Sequence, residues 1–104
     1  MEDIQIRIRL RTSAQRAMLG AIYPEIRGIA VGFDGLKKLT IKMYLDRIPN
    51  EEDHEELSDI SAGILGDIDF DSVEEICEYN NEKPIRLNGL DFFVYLRKEP
   101  RSNE

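Results

Sequence analysis

Three aspartates, Asp67, Asp69 and Asp71, alternate with apolar residues, and this spacing resembles the first ligands of a calcium-binding loop. A loop of the EF-hand kind also needs a glycine at its sixth position and a glutamate at its twelfth. Counted from Asp67, these positions hold Ser72 and Glu78, so the glutamate is present and the glycine is missing. The sequence therefore predicts an acidic turn that binds no metal, and no cofactor is predicted elsewhere.

Nucleophilic and metal-binding side chains are scarce. His54 is the one histidine and Cys77 the one cysteine, so neither a zinc site of the Cys/His kind nor an internal disulfide can be built. No nucleophile neighbours His54 in the sequence, and the glutamates around Cys77 disfavour its thiolate. We find no nucleophile paired with a base, and we predict that the protein is not an enzyme.

Charge is distributed unevenly along the chain. Residues 1–47 have a net charge of +4 and residues 48–104 a net charge of −11, which gives the total of −7. Between Arg47 and Lys83 there are thirteen acids and no Lys or Arg. Such a surface repels nucleic acid and attracts a basic protein. The predicted partner-binding residues are Glu51, Glu52, Asp53, Glu55, Glu56, Asp59, Asp67, Asp69, Asp71, Glu74 and Glu75.

The start of the chain carries two competing periodicities. Apolar residues from Ile4 to Leu10 alternate with polar ones, which is the pattern of a strand. From Leu10 to Ala21 they recur at helical spacing. The second pattern predicts a helix over about 9–20, and residues 4–10 are left open between helix and strand.

A β-hairpin is predicted next. The segment 26–33 is apolar and rich in β-branched residues, and apolar residues alternate with polar ones over 39–45. Between them, Asp34-Gly35 suits a tight turn because both residues tolerate positive φ.

The second half of the chain repeats the order helix, strand, strand. Asn50 is a good N-cap for a helix over 51–66, whose apolar stripe turns most of its acids to solvent. Strands are predicted over 72–79 and 90–97, with a long loop over 80–89.

These elements predict one α+β domain over 1–98, with the order αββαββ, a four-stranded mainly antiparallel sheet and two helices on one face. Residues 99–104 are predicted to be a frayed tail. No segment reaches the roughly 20 apolar residues of a membrane span, and none looks like a signal peptide, so a cytoplasmic location and no membrane contact are expected.

The sheet face away from the helices is predicted to be open. By the alternation of the strands it carries Tyr44, Asp91, Phe93 and Tyr95, and exposed aromatics often mark an interface. This face is an alternative partner-binding site, which would make the protein a homodimeric adaptor or structural module. The chain is therefore expected to be a monomer or a homodimer.

Several segments resemble a family of small bacterial proteins of about this length. They are residues 9–20 (RLRTSAQRAMLG), 26–31 (IRGIAV), 44–46 (YLD) and 93–99 (FVYLRKE). Some members of the family act as immunity proteins of contact-dependent inhibition or other polymorphic toxin systems. The resemblance implies an inhibitor that neutralises a toxin, and a nuclease toxin with a basic site would suit the acidic surface. Thr12, Ser13 and Arg16 depart from the more apolar family pattern, which predicts a less buried first helix.

Overall fold

The computed structural model describes residues 2–100. Its elements are α1 (Asp3–Ala17), β1 (Ile26–Asp34), β2 (Lys38–Leu45), α2 (Glu51–Asp67), β3 (Ser72–Tyr79) and β4 (Phe92–Leu96). The predicted α+β class and the order αββαββ are confirmed. Neither helix in this part of the chain has the length and apolar character needed to cross a membrane.

The ambiguous N-terminal segment is helical. Ile6, Leu10 and Ala14 are buried at intervals of four residues, which places them on one face of α1, while Ile4 and Ile8 are exposed. The helix therefore begins six residues before the predicted start. Tertiary packing decides between the two periodicities, because only the helical one brings the buried side chains onto the core.

The four strands form one sheet in the order β3-β2-β1-β4. β1 pairs antiparallel with β2 and with β4, whereas β2 and β3 run parallel because α2 crosses between them. The predicted hairpin turn is confirmed at Gly35, which has a φ of +52°. The sheet is thus mainly antiparallel, as predicted.

Both helices pack on one face of the sheet, and the main core lies between the two layers. β2 contributes Leu39, Ile41, Met43 and Leu45, all fully buried. The two helices approach each other closely at Gly63, where an added Cβ would lie 3.0 Å from the Cβ of Ala17. A glycine at this position lets α1 and α2 cover the sheet side by side.

The expectation that the other sheet face is open is wrong. Tyr44 is fully buried, and it packs with Ala30, Ile85 and Phe93 in a second, smaller cluster. Its hydroxyl donates to the carbonyl oxygen of Arg86 at 3.2 Å. The loop between β3 and β4 folds back over this face, and no local sequence signal marks that return.

A β-bulge changes which side chains of β4 share a face. The register between β1 and β4 shifts between Ile29 and Ala30, so Ile29 faces Tyr95 and Ala30 faces Phe93. Tyr95 packs against the main core instead of joining Phe93 on the loop side. A single extra residue reverses the alternation beyond it, which is why the predicted grouping of Phe93 with Tyr95 is wrong.

Replacing Tyr44 should therefore destabilise the fold itself. We expect Tyr44→Ala to lower the free energy of unfolding by about 3–5 kcal/mol, because it leaves a cavity and an unpaired carbonyl. The matched control is Tyr79→Ala, at a tyrosine that is half exposed, and it should cost about 1 kcal/mol or less. Urea denaturation measures both values, and equal losses would contradict the buried position of Tyr44.

Candidate partner-binding surface

The acids at the start of α2 are turned outward by its apolar stripe. Leu57, Ile60 and Ile64 are buried against the sheet, so the opposite side of the helix faces solvent. We call this side the acidic face; it consists of Glu51, Glu52, Glu55, Glu56 and Asp59, of which Glu56 is half-buried and the others are exposed. None of these five carboxylates forms an ion pair within residues 2–100.

Asp53 lies on the opposite side and is fully buried, so its assignment to the partner-binding surface is corrected. Its carboxylate binds the guanidinium of Arg47 at 2.5 Å and 3.0 Å and accepts a hydrogen bond from the hydroxyl of Tyr23. It also accepts from the backbone N–H of Asn50 at 2.8 Å, while the Asn50 side chain accepts from the N–H of Asp53 at 3.1 Å. This reciprocal capping fixes the first turn of α2.

The pKa values of this buried group follow from its contacts. The hydrogen bonds from Arg47, which is the largest cause, and from Tyr23 lower the pKa of Asp53 to about 2. Burial and the hydrogen bond to Asp53 raise the pKa of Tyr23. Asp53 is therefore ionised, and Tyr23 neutral, across the physiological range.

Side chains from other elements engage the acids of β3. Parallel pairing of β2 with β3 places Lys38 against Glu74 at 2.9 Å and Lys42 against Glu78 at 3.0 Å. The carboxylate of Glu75 accepts a hydrogen bond from the hydroxyl of Ser61. The interval between Arg47 and Lys83 contains no cation of its own, but in the folded protein lysines of β2 lie beside its acids.

Asp67 is also engaged within the chain. Its carboxylate accepts from the hydroxyl of Ser13 at 2.7 Å and pairs with Arg16 at 2.8 Å. Asp69 and Asp71 are exposed beyond the C-terminal end of α2. A helix of 17 residues is about 25 Å long, so these aspartates lie far from the first turn with Glu51. The predicted acids therefore divide between two ends of α2.

The residues considered for chemistry do not form a reactive site. His54 is exposed, and burial raises the pKa of Cys77 to about 11, with Asp53 and Glu75 adding to the shift. Within residues 2–100, no three His, Cys, Asp or Glu side chains come together in a way that could hold a metal. Such a cysteine stays protonated and is a poor nucleophile.

A cleft of about 800 Å³ opens where β1 begins and the other three strands end. Arg27 is buried at its wall, and its guanidinium donates to both oxygens of Glu99 at 2.7 Å and to the carbonyls of Asn80 at 2.6 Å and Glu82 at 2.7 Å. Arg97 pairs with the same Glu99 at 2.9 Å. Arg27, Arg97 and Glu99 therefore satisfy one another.

Glu99 is the first residue of the predicted tail. Its carboxylate is held by two arginines, and its pKa is lowered to about 2, mainly by the hydrogen bonds from Arg27. Pro100 lines the cleft, and residues 101–104 lie outside the described residues.

Sequence reasoning missed the buried roles of Asp53, Arg27 and Glu99. A signal existed for Asp53, because a polar N-cap followed three residues later by a side chain that accepts hydrogen bonds is the spacing of a capping box. Arg27 and Glu99 are 72 residues apart, and no local pattern connects them.

Comparison with known proteins identifies the family. The sequence model of the MafI2 immunity protein family matches residues 7–99, which is most of the chain. The chain therefore belongs to the MafI2 immunity protein family, and the resemblance to immunity proteins of polymorphic toxin systems is confirmed. Membership makes toxin immunity the general function and a toxin the expected partner.

Other comparisons are less informative. No curated protein sequence matches the chain significantly. A variant of the MamM CTD is 17% identical, with a TM-score of 0.48, over 77% of this chain and 100% of that one. A zinc form of another MamM CTD variant is 19% identical, with a TM-score of 0.47, over 76% of this chain and 87% of that one. These similarities concern the arrangement of the elements alone.

Replacing Asp53 should weaken the whole end of the molecule at which α2 begins. We expect Asp53→Ala to lower the free energy of unfolding by about 2–3 kcal/mol at neutral pH, because charge-assisted hydrogen bonds and the helix cap are lost together. The control Glu52→Ala removes a neighbouring exposed carboxylate and should change stability by about 0.5 kcal/mol or less. Urea denaturation distinguishes them, and a negligible effect of Asp53→Ala would contradict its structural role.

Acid should destabilise the fold through Asp53 and Glu99. Their pKa values in the folded protein are about 2, below the ordinary values of 3.8 and 4.5, so the unfolded chain takes up protons first as the pH falls. The stabilisation that the ionised Asp53 and Glu99 carboxylates provide is complete above about pH 5 and is lost as the pH falls towards 2. Urea denaturation across this range should show a shallower pH dependence for Asp53→Asn combined with Glu99→Gln, and an unchanged dependence would contradict the assignment.

Proposed function

We propose that this protein neutralises a nuclease toxin in the cytoplasm by covering the toxin's basic nucleic-acid-binding site with the acidic face of α2. The observation that carries the proposal is the contrast among the predicted acids. Asp53, Asp67, Glu74 and Glu75 are engaged within the chain. Among the other predicted acids, the five carboxylates clustered on the acidic face and, at the far end of α2, Asp69 and Asp71 form no internal ion pair in residues 2–100.

An unpaired row of carboxylates suits inhibition by charge. Glu51, Glu55 and Asp59 are spaced by four residues, so they follow one line along the helix and repel one another. A basic partner relieves this repulsion. Complementary charge also accelerates association, and negative charge placed over a basic cleft excludes the phosphates of a substrate. Inhibition of this kind needs no catalytic group on the inhibitor.

The first turn of the acidic face is held rigidly. The Asn50 side chain caps this turn. The Asp53 carboxylate then binds Arg47, in the connection between β2 and α2, and Tyr23, in the connection that precedes β1. Glu51 and Glu52 therefore project from a fixed backbone. A surface that is already ordered loses less conformational entropy when it binds, which favours affinity.

The alternative site on the sheet presents less accessible surface to a partner. Tyr44 and Phe93 pack under the loop between β3 and β4, and Tyr95 packs against the main core. Asp91 accepts from the N–H of Phe33 at 2.9 Å and pairs with Arg7 at 3.0 Å. The four residues share no open surface, and we therefore favour the acidic face and a monomeric inhibitor.

Paired substitutions at the two ends of α2 test the proposal. Glu52→Gln with Glu55→Gln removes two charges from the acidic face, and Asp69→Asn with Asp71→Asn removes two from the far end. The first pair should reduce the association rate constant for the cognate toxin domain by roughly tenfold at low salt, because charges near the interface steer association most strongly. The second pair leaves the same net charge and should change that rate constant by roughly twofold or less.

Stopped-flow mixing at low and moderate salt measures these rate constants, and a nuclease assay measures protection of the substrate. The first pair should also flatten the salt dependence of association. If both pairs reduced the rate constant equally, or if neither changed it, the acidic face would not be the binding site. A toxin domain that is inhibited by this protein but cleaves no nucleic acid when free would contradict the nuclease assignment.

A further inference from the structure

Two large apolar side chains in the connections that adjoin α2 are mostly exposed. Leu19 is 80% exposed and Ile48 is 77% exposed, more than any other large hydrophobic residue among residues 2–100. A single exposed leucine or isoleucine is ordinary in a soluble protein. The surroundings of Leu19 and Ile48 distinguish them from such isolated exposed residues.

Ile48 precedes α2 in a connection whose backbone is fixed. The guanidinium of Arg47 donates to the carbonyl oxygen of Ile48 at 3.3 Å while it holds Asp53, and Asn50 caps the helix that follows. The Ile48 side chain therefore projects from an ordered segment next to the first turn that carries Glu51 and Glu52. Ordering this side chain on binding requires little loss of backbone entropy.

Leu19 lies along the flank of the same helix. Ala17 contacts α2 at Gly63, and Tyr23 donates to the carboxylate of Asp53 ten residues earlier in α2. The connection that contains Leu19 therefore runs beside α2 between these two contacts. This placement brings Leu19 alongside the segment that carries Glu55, Glu56 and Asp59.

We infer that Ile48 and Leu19 are the apolar anchors of the toxin-binding surface, and that each enters an apolar pocket on the toxin that is bordered by Lys or Arg. The inference rests on the proposed function and adds the contacts that hold the complex together. Interfaces combine a few desolvated anchors with a charged rim, in which the anchors govern dissociation and the rim governs association.

Charge distinguishes these anchors from the other exposed isoleucines. Ile4 and Ile8 are 63% and 60% exposed on α1, where Arg9 and Arg11 are also exposed. Arg11 additionally lies over the ring of Phe92, 4.1 Å from its centroid. A basic toxin is repelled from this side of the molecule and attracted to the acidic side. Ile8 is therefore a matched control for Ile48, since the residue type and exposure are similar and the surrounding charge is opposite.

Alanine substitutions in the full chain test the inference, with the cognate toxin domain as the probe. Ile48→Ala and Leu19→Ala should each raise the dissociation rate constant about tenfold, with the association rate constant and its salt dependence unchanged. Ile8→Ala should change the dissociation rate constant by roughly twofold or less. The melting temperature of each variant, compared with the parent chain, shows whether folding is intact.

The outcomes separate this inference from the proposed function. If Ile48→Ala and Leu19→Ala both behaved like Ile8→Ala while the substitutions on the acidic face still slowed association, the anchors would be wrong and the acidic face correct. If Ile8→Ala weakened the complex and Ile48→Ala did not, the toxin would bind α1, and both proposals would be overturned. A large effect of Ile48→Ala with an unchanged melting temperature supports the anchor.

Discussion

The carboxylate of Asp53 joins the start of α2 to the two connections that precede β1 and α2. Tyr23 comes from the connection between α1 and β1, Arg47 from the connection between β2 and α2, and Asn50 from the start of α2 itself. An ionised carboxylate removed from water needs such partners, and here a guanidinium, a hydroxyl and a backbone N–H together provide them. This buried charge fixes the first turn of α2 to the neighbouring connections, and with it the start of the acidic face, while the apolar stripe holds the rest of the helix on the sheet.

Neighbouring cations explain how one acidic stretch of sequence comes to have two roles. Asp67, Glu74 and Glu78 lie beside cations that α1 and β2 supply through Arg16, Lys38 and Lys42. The carboxylates of the acidic face have no such neighbours among residues 2–100 and remain available to a partner. The division follows from the periodicity of α2 and from the parallel pairing of β3 with β2.

Much of the fold could be predicted from the sequence because its signals are local. The limits of β3 at residues 72–79 agree with the prediction, and those of α2 differ by one residue. The errors involve contacts between distant segments. The loop that buries Tyr44 and the bulge that turns Tyr95 inward are set by the packing of β4 on β1, and a single-residue shift in that packing reverses a face.

The candidate site was predictable in composition and only partly in geometry. Glu51, Glu52, Glu55 and Asp59 are exposed because the apolar stripe of α2 fixes their direction, and that stripe is legible in the sequence. The burial of Asp53 was not predicted. It depends on Tyr23, which is 30 residues away in the sequence, and on the connection that brings Arg47 beside the carboxylate. Charge density alone cannot separate a buried ion pair from an exposed one.

The arrangement of the sheet also bears on how copies of this chain behave at high concentration. Edge strands present unpaired backbone groups that can join with another edge and begin aggregation. β3 carries Glu74 and Glu78 along one edge, and β4 forms the other as a short strand of five residues next to a bulge. Charged side chains, small length and local twist each oppose edge-to-edge joining. Both edges of the sheet therefore resist pairing with another copy of the chain, which favours a protein that stays dispersed as its concentration rises.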